Sequence, residues 1–154
     1  MTGDDTVHAS AVAIAGQGAL ILGPSGSGKS ALALRLIALG GVLIADDRVI
    51  VTRDGDGLRA DAPAVTAGLI EARGVGLIRV PRHAPAPLRL VVDLGQAETE
   101  RLPPIRNTSV MDVLLPLVLG PLTDHLSGSI SLLLRGGRLD PGPPIPISGG
   151  SKDE

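Results

Sequence analysis

Residues 7–14 and 19–22 alternate or run apolar in short pieces separated by Gly16, Gln17 and Gly18, the pattern of two strands joined by a tight turn. From Ser30 the period changes. SALALRLIALGG places apolar residues at helical spacing and ends on Gly40 and Gly41, a helix stop. A strand at 42–45 follows, then Asp46 and Asp47, a strand-like RVIVTR and a turn at 54–57. Residues 68–80 read as strand, glycine-bearing turn and strand, and 88–95 as a buried strand. The stretch 111–119 predicts one more strand, and 122–137 has the length and glycine stop of a closing helix. Strands alternating with helices argue for an α/β class in one unit, residues 1–140. Residues 141–154 are rich in Pro and Gly without apolar periodicity, and are expected to form a flexible tail.

Two adjacent carboxylates at the end of the apolar run LIADD need a physical reason. Like charges side by side repel and resist burial, so such a pair sits in solvent or faces a cation. GPSGSGKS, residues 23–30, supplies the reason. It fits G-x-x-x-x-G-K-[ST] and lies after an apolar strand and at the start of a helix, as a phosphate-binding P-loop requires. Gly26 and Gly28 let backbone N–H groups turn inward around phosphate oxygens, and the helix N-terminus adds favourable partial charge. Lys29 is expected to reach the β- and γ-phosphates and Ser30 to hold Mg²⁺. The chain has only two lysines, Lys29 and Lys152, which makes a chance match rare.

A P-loop needs a carboxylate on a neighbouring strand to complete its Mg²⁺ site. Asp46 and Asp47 end the strand after the P-loop helix, at the sheet edge where the phosphates lie. One can face the metal while the other faces the γ-phosphate, where an acceptor loses its proton. Asp93, which ends LVVD in the same style, is a competing metal carboxylate, and spacing does not choose between it and Asp46.

Composition narrows the field. With no Phe, Tyr or Trp, the core is built from Leu, Ile, Val and Ala, and no aromatic platform exists for stacking bases. Together with a net charge of −2, this argues against nucleic acid as a partner. The absence of cysteine excludes a thiolate nucleophile and a Cys-based zinc site. No segment approaches the apolar length of a membrane span, and the N-terminus begins with Asp4 and Asp5 rather than a positively charged leader, so a cytoplasmic location is expected.

The string from His8 to GPSGSGKS, the helix and LIADDRV after it, and then IEARGVGLIRV resemble the catalytic domain of HPr kinase/phosphorylase, which phosphorylates a serine of the phosphocarrier HPr. The resemblance covers residues 8–80. Its specific parts are the Asp pair at this distance from the P-loop and the signature from Ile70 to Leu77. It implies a P-loop fold of the phosphoenolpyruvate-carboxykinase-like type, with a mixed sheet. It implies that Gly23, Pro24, Ser25, Gly26, Ser27, Gly28, Lys29 and Ser30 bind the phosphates of ATP, with Lys29 also catalytic. Ser30 and Glu71 would face Mg²⁺, Asp47 would be the general base on the acceptor serine, and Asp46 and His8 would lie close to the reacting phosphate, with Arg73 beside Glu71.

The implied activity is an ATP-dependent protein-serine kinase acting on HPr, with reverse phosphorylase activity and a homo-oligomeric state as further expectations. The resemblance is to a short form consisting of the C-terminal catalytic domain. In the longer enzymes an arginine loop helps in docking HPr, and PPIRN, with Arg106 and Asn107, is only faintly similar to it. A second reading from another class is a regulatory module that senses ATP without turnover. A pure sensor needs one metal carboxylate and no base, so the Asp pair discriminates between them. A small-molecule kinase, the third reading, predicts a lid segment, and none is evident.

Overall fold

A computed structural model of the chain describes residues 4–137; the expected tail, 141–154, lies outside the described residues. In chain order, β1 is Asp4–His8, β2 Ser10–Ile14 and β3 Gln17–Leu22, followed by α1, Lys29–Ala38, and β4, Val42–Ala45. Then come β5, Arg48–Asp54, β6, Gly57–Asp61, the short pair β7, Leu69–Ala72, and β8, Gly76–Arg79, and the long β9, Ala86–Ala97. Strands β10, Arg106–Val110, and β11, Val113–Gly120, precede α2, Leu126–Gly136. All but β7 and β8 join one sheet, ordered β1-β5-β6-β9-β3-β2-β4, with β11 also pairing β9 and β10 pairing β11.

The sheet is mixed. Strands β3 and β11 run parallel to β9, whereas β2 is antiparallel to both β3 and β4. Two antiparallel steps leave β4 pointing the same way as β3, so their C-terminal ends meet at one edge. That edge carries the glycine-rich loop after Leu22 and the Asp pair after Ala45.

Each face of the central strands has its own cover. Val12, Ile14, Ala19, Ile21, Leu90 and Val92 pack under the helices with Leu32, Leu36 and Ile130. Ala11, Ala13, Leu20 and Val91 face the other way, against Val49, Val51, Leu58 and Ala60 of the side strands. Strand β2 is therefore buried along its whole length, which is why residues 11–14 are a continuous apolar run rather than an alternation.

Helix α1 stops as its glycines foretell. Gly40 adopts φ 100 and the Gly41 N–H returns to the Leu36 carbonyl at 2.9 Å. A Cβ on Gly41 would lie 2.8 Å from that carbonyl oxygen, so a side chain there is excluded by backbone.

Several expectations are corrected. The apolar run 7–14 is two strands, because the chain bends at Ala9 and β1 leaves to pair with β5. Strands β6 and β10 were not anticipated, since both carry charged and polar residues on a half-exposed surface. The described residues hold eleven strands and two helices, so a simple strand–helix alternation does not describe the chain. No helix among the described residues is long and apolar enough to cross a membrane.

Arg106 sits in β10 rather than in a free loop, its guanidinium bound to both Glu98 oxygens at 2.8 and 2.9 Å. The Arg106 guanidinium, then the backbone N–H groups nearby, hold the Glu98 carboxyl down at about 2, from an ordinary 4.5. A carboxylate with a depressed folded-state value adds stability above its unfolded value and loses it as pH falls through the folded one. Arg106→Met is therefore expected to flatten the pH dependence of unfolding between about pH 4.5 and 2, as read by denaturant titration.

Candidate functional site

The glycine-rich loop leaves β3 at Leu22 and enters α1 at Lys29. Gly28 precedes the helix with φ 103, a left-handed conformation, and a Cβ there would approach Leu122 Cδ2 to 2.8 Å. The backbone conformation thus favours glycine, and any side chain would also have to displace the tip of Leu122. The first helical bond joins the Leu32 N–H to the Gly28 carbonyl at 2.8 Å. The amides before it have no intrahelical acceptor and point out of the helix start, where no acidic residue of the first turn answers them. The Lys29 ammonium folds back over the loop, donating to the carbonyls of Gly23 at 2.7 Å and Pro24 at 3.2 Å. Ser27 Oγ is buried without a partner among the described residues.

The Asp pair is split by a γ-turn. The Arg48 N–H returns to the Asp46 carbonyl at 2.8 Å, and Asp47 between them has φ 70. Such a conformation is strained for most residues and tolerated by Asp. The two side chains part, Asp46 into the interior and Asp47 into solvent. Asp46 is 6% exposed, and its Oδ1 accepts the Ser10 hydroxyl at 2.6 Å and the Ser30 hydroxyl at 2.8 Å. Its Oδ2 accepts the Glu71 backbone N–H at 3.1 Å. Asp47 is 62% exposed, with Oδ1 2.9 Å from His8 Nε2 and Oδ2 3.9 Å from Arg48 Nε. His8 reaches it because β1 pairs with β5 in a register that sets His8 opposite Arg48.

These groups share one cleft of about 610 Å³, lined by His8, Ser10, Lys29, Ser30, Asp47 and Glu71 together with Ser25, Gly26, Gly28 and Arg73. The structure therefore brings His8, Lys29, Ser30, Asp47, Glu71 and the loop residues Ser25, Gly26 and Gly28 together, while Gly23, Pro24 and Ser27 of the same loop do not line the cleft. Asp46 stands just behind the lining, bonded to Ser30. Asp93 reaches the same sheet edge, opposite Leu22 in register, but its oxygens accept from the Gly95 N–H at 2.8 Å and Gln96 Nε2 at 2.7 Å, and it does not line the cleft. Of the two competing carboxylates, Asp46 is the one in contact with Ser30.

Ser10 was missed. A lone hydroxyl inside an apolar strand, two residues after His8, was the available signal.

The donor set fits a hard divalent cation, being all oxygen: a serine hydroxyl, a buried carboxylate and the Glu71 carboxylate at the rim. Among the described residues no group of three or more His, Asp or Glu is gathered to hold a metal without help. A cation here needs phosphate oxygens to complete its shell, which is how Mg²⁺ is commonly held.

The family model for the HPr Serine kinase C-terminal domain matches residues 1–101. The chain belongs to that family. The glycine loop, the Asp pair and the β7–β8 signature all lie within the matched residues. An HPr kinase/phosphorylase of Mycoplasmopsis pulmonis is 49% identical over 74 residues, 48% of this chain and 24% of that relative. One from Cupriavidus metallidurans is 39% identical over 124 residues, 73% of this chain and 38% of that relative. The chain thus matches less than half the length of these curated relatives. Among solved structures, the Hpr(Ser) kinase/phosphatase from Coxiella burnetii is similar with a TM-score of 0.75 and 29% identity, over 85% of this chain and 94% of that one. The mixed α/β fold of this family member is similar to that of the Coxiella structure.

Proposed function

We propose that the chain is an ATP-dependent protein kinase that phosphorylates a serine of the phosphocarrier HPr. The reading includes reverse phosphorylase activity and a homo-oligomeric, cytoplasmic enzyme whose catalytic unit is residues 1–140. The glycine-rich loop is read as a P-loop and the fold as the phosphoenolpyruvate-carboxykinase-like type. The single observation that carries this reading is the split Asp pair. One carboxylate is buried on Ser30 and the other is exposed in the same cleft, 2.9 Å from His8.

Residues 23–30 bind the phosphates through loop and helix-start amides, and Lys29 exchanges its hold on the loop carbonyls for phosphate oxygens. Ser30 and Glu71 hold Mg²⁺, with Asp46 fixing Ser30. When bound, Mg²⁺ neutralises charge on the phosphates. Asp47 accepts the proton of the acceptor serine, and its exposure leaves room for a protein substrate to approach. His8 fixes the Asp47 carboxylate, close to the reacting phosphate. Phosphoryl transfer asks chiefly for positioning and charge neutralisation, and this set of groups offers both.

The test is mass spectrometry of HPr from the same organism after incubation with the chain, Mg²⁺ and ATP. A single phosphoserine, absent with Lys29→Ala, is the expected result. HPr left unmodified while ATP still binds would overturn the kinase reading in favour of an ATP sensor.

A further inference from the structure

Strand β2 is apolar at every position except its first, Ser10. That hydroxyl is 1% exposed and lies beside Ala9 and Ala11, which are fully buried. Its partner is Asp46 Oδ1, 36 positions away, at 2.6 Å. The same oxygen accepts Ser30 at 2.8 Å, so two hydroxyls from different elements converge on one carboxylate oxygen. The other oxygen is held by the Glu71 N–H, fixing the carboxylate plane from both ends.

A serine hydroxyl has one proton and two lone pairs. With its proton committed to Asp46, Ser30 offers only lone pairs to the cleft, which is what a cation requires. That commitment holds only while Asp46 keeps its orientation, and the terminal torsion of an aspartate is soft.

We propose that Ser10 is a positioning residue for the divalent-cation site. It locks Asp46, and through Asp46 it keeps the Ser30 oxygen lone pairs turned toward the cleft. The inference rests on the nucleotide-and-cation part of the proposed function and does not depend on the identity of the phosphoryl acceptor. A hydroxyl serving only to satisfy the interior would influence fold stability alone. One serving the cation site influences metal-dependent binding specifically.

The experiment uses Mn²⁺ as the spectroscopic stand-in for Mg²⁺. Mn²⁺ binding in the presence of ADP is followed by electron paramagnetic resonance, and ADP binding in EDTA by calorimetry, for wild type, Ser10→Ala and Ser10→Thr. Losing one charge-assisted hydrogen bond on the carboxylate is expected to weaken Mn²⁺·ADP binding about tenfold in Ser10→Ala. Metal-free ADP affinity is expected to stay within about twofold, and Ser10→Thr, which returns the hydroxyl, to recover the Mn²⁺ affinity. The inference is overturned if folded Ser10→Ala binds Mn²⁺·ADP like wild type, if it loses metal-free ADP binding equally, or if the loss persists in folded Ser10→Thr. A wild-type chain that binds no Mn²⁺·ADP would overturn the nucleotide reading as well, which separates the two failures.

Discussion

Asp47→Asn is expected to slow phosphotransfer to HPr by about 10²–10⁴-fold, the usual contribution of a general base, while ATP affinity stays within about twofold. Asparagine is the informative substitution because Asp47 sits at φ 70, where Asn is tolerated and Ala is strained. The amide also retains an oxygen for His8, 2.9 Å from Asp47 Oδ1 in the native chain. What it loses is the capacity to accept a proton. Single-turnover rates, nucleotide calorimetry and a thermal melt on the same preparation separate chemistry from binding and from folding. A variant that transfers phosphate at the native rate would remove Asp47 from the chemistry. One that melts early would mean that the γ-turn, rather than the base, had been perturbed.

Lys29→Ala is expected to weaken ATP binding by about 10²–10⁴-fold, since a lysine bridging two phosphates makes two charge-assisted hydrogen bonds of roughly 1.5–3 kcal/mol each. Phosphotransfer should fall below detection. Lys29 is 9% exposed, and its ammonium is already bound to the Gly23 and Pro24 carbonyls, so it also braces the loop. Pro24 is exposed and Gly23 half-buried, so water can replace the lost donor. The fold should therefore lose under about 1 kcal/mol. Faster hydrogen exchange confined to residues 23–30, with a nearly native melting point, would accompany the loss of binding. Native ATP affinity in the variant would mean that the helix-start amides hold the phosphates without the lysine.

The two predictions draw on residues of different legibility. Lys29 belongs to a contiguous motif, and its surroundings follow from the strand before it and the helix after it. Asp47 was visible as one of a pair, but neither its direction nor that of Asp46 was readable, since both follow from the φ of one residue and from who waits on each side. Asp93 matched the same pattern and turned out to be occupied by Gly95 and Gln96. Arg106 was equally opaque. Its faint likeness to a docking loop gave no sign of Glu98, eight residues earlier, which holds its guanidinium. Strands β6 and β10 escaped notice because a charged residue on a half-exposed strand looks the same as one in a loop.

Interactions that close within a few residues were written in the local pattern: the glycine-rich loop, the helix that follows it, the glycine stop at its end and the all-aliphatic character of the core. Backbone sterics and helical periodicity act over such short spans, and no distant partner can change them. Long-range pairing decided the rest. The antiparallel placing of β2 between β3 and β4 brought the loop and the Asp pair to one edge, and the register of β1 on β5 delivered His8 to Asp47. Ser10 met Asp46 across 36 positions for the same reason. A hydrogen bond depends on where two atoms sit in space to within a few tenths of an ångström, and that distance is a property of the assembled sheet rather than of any segment of the chain.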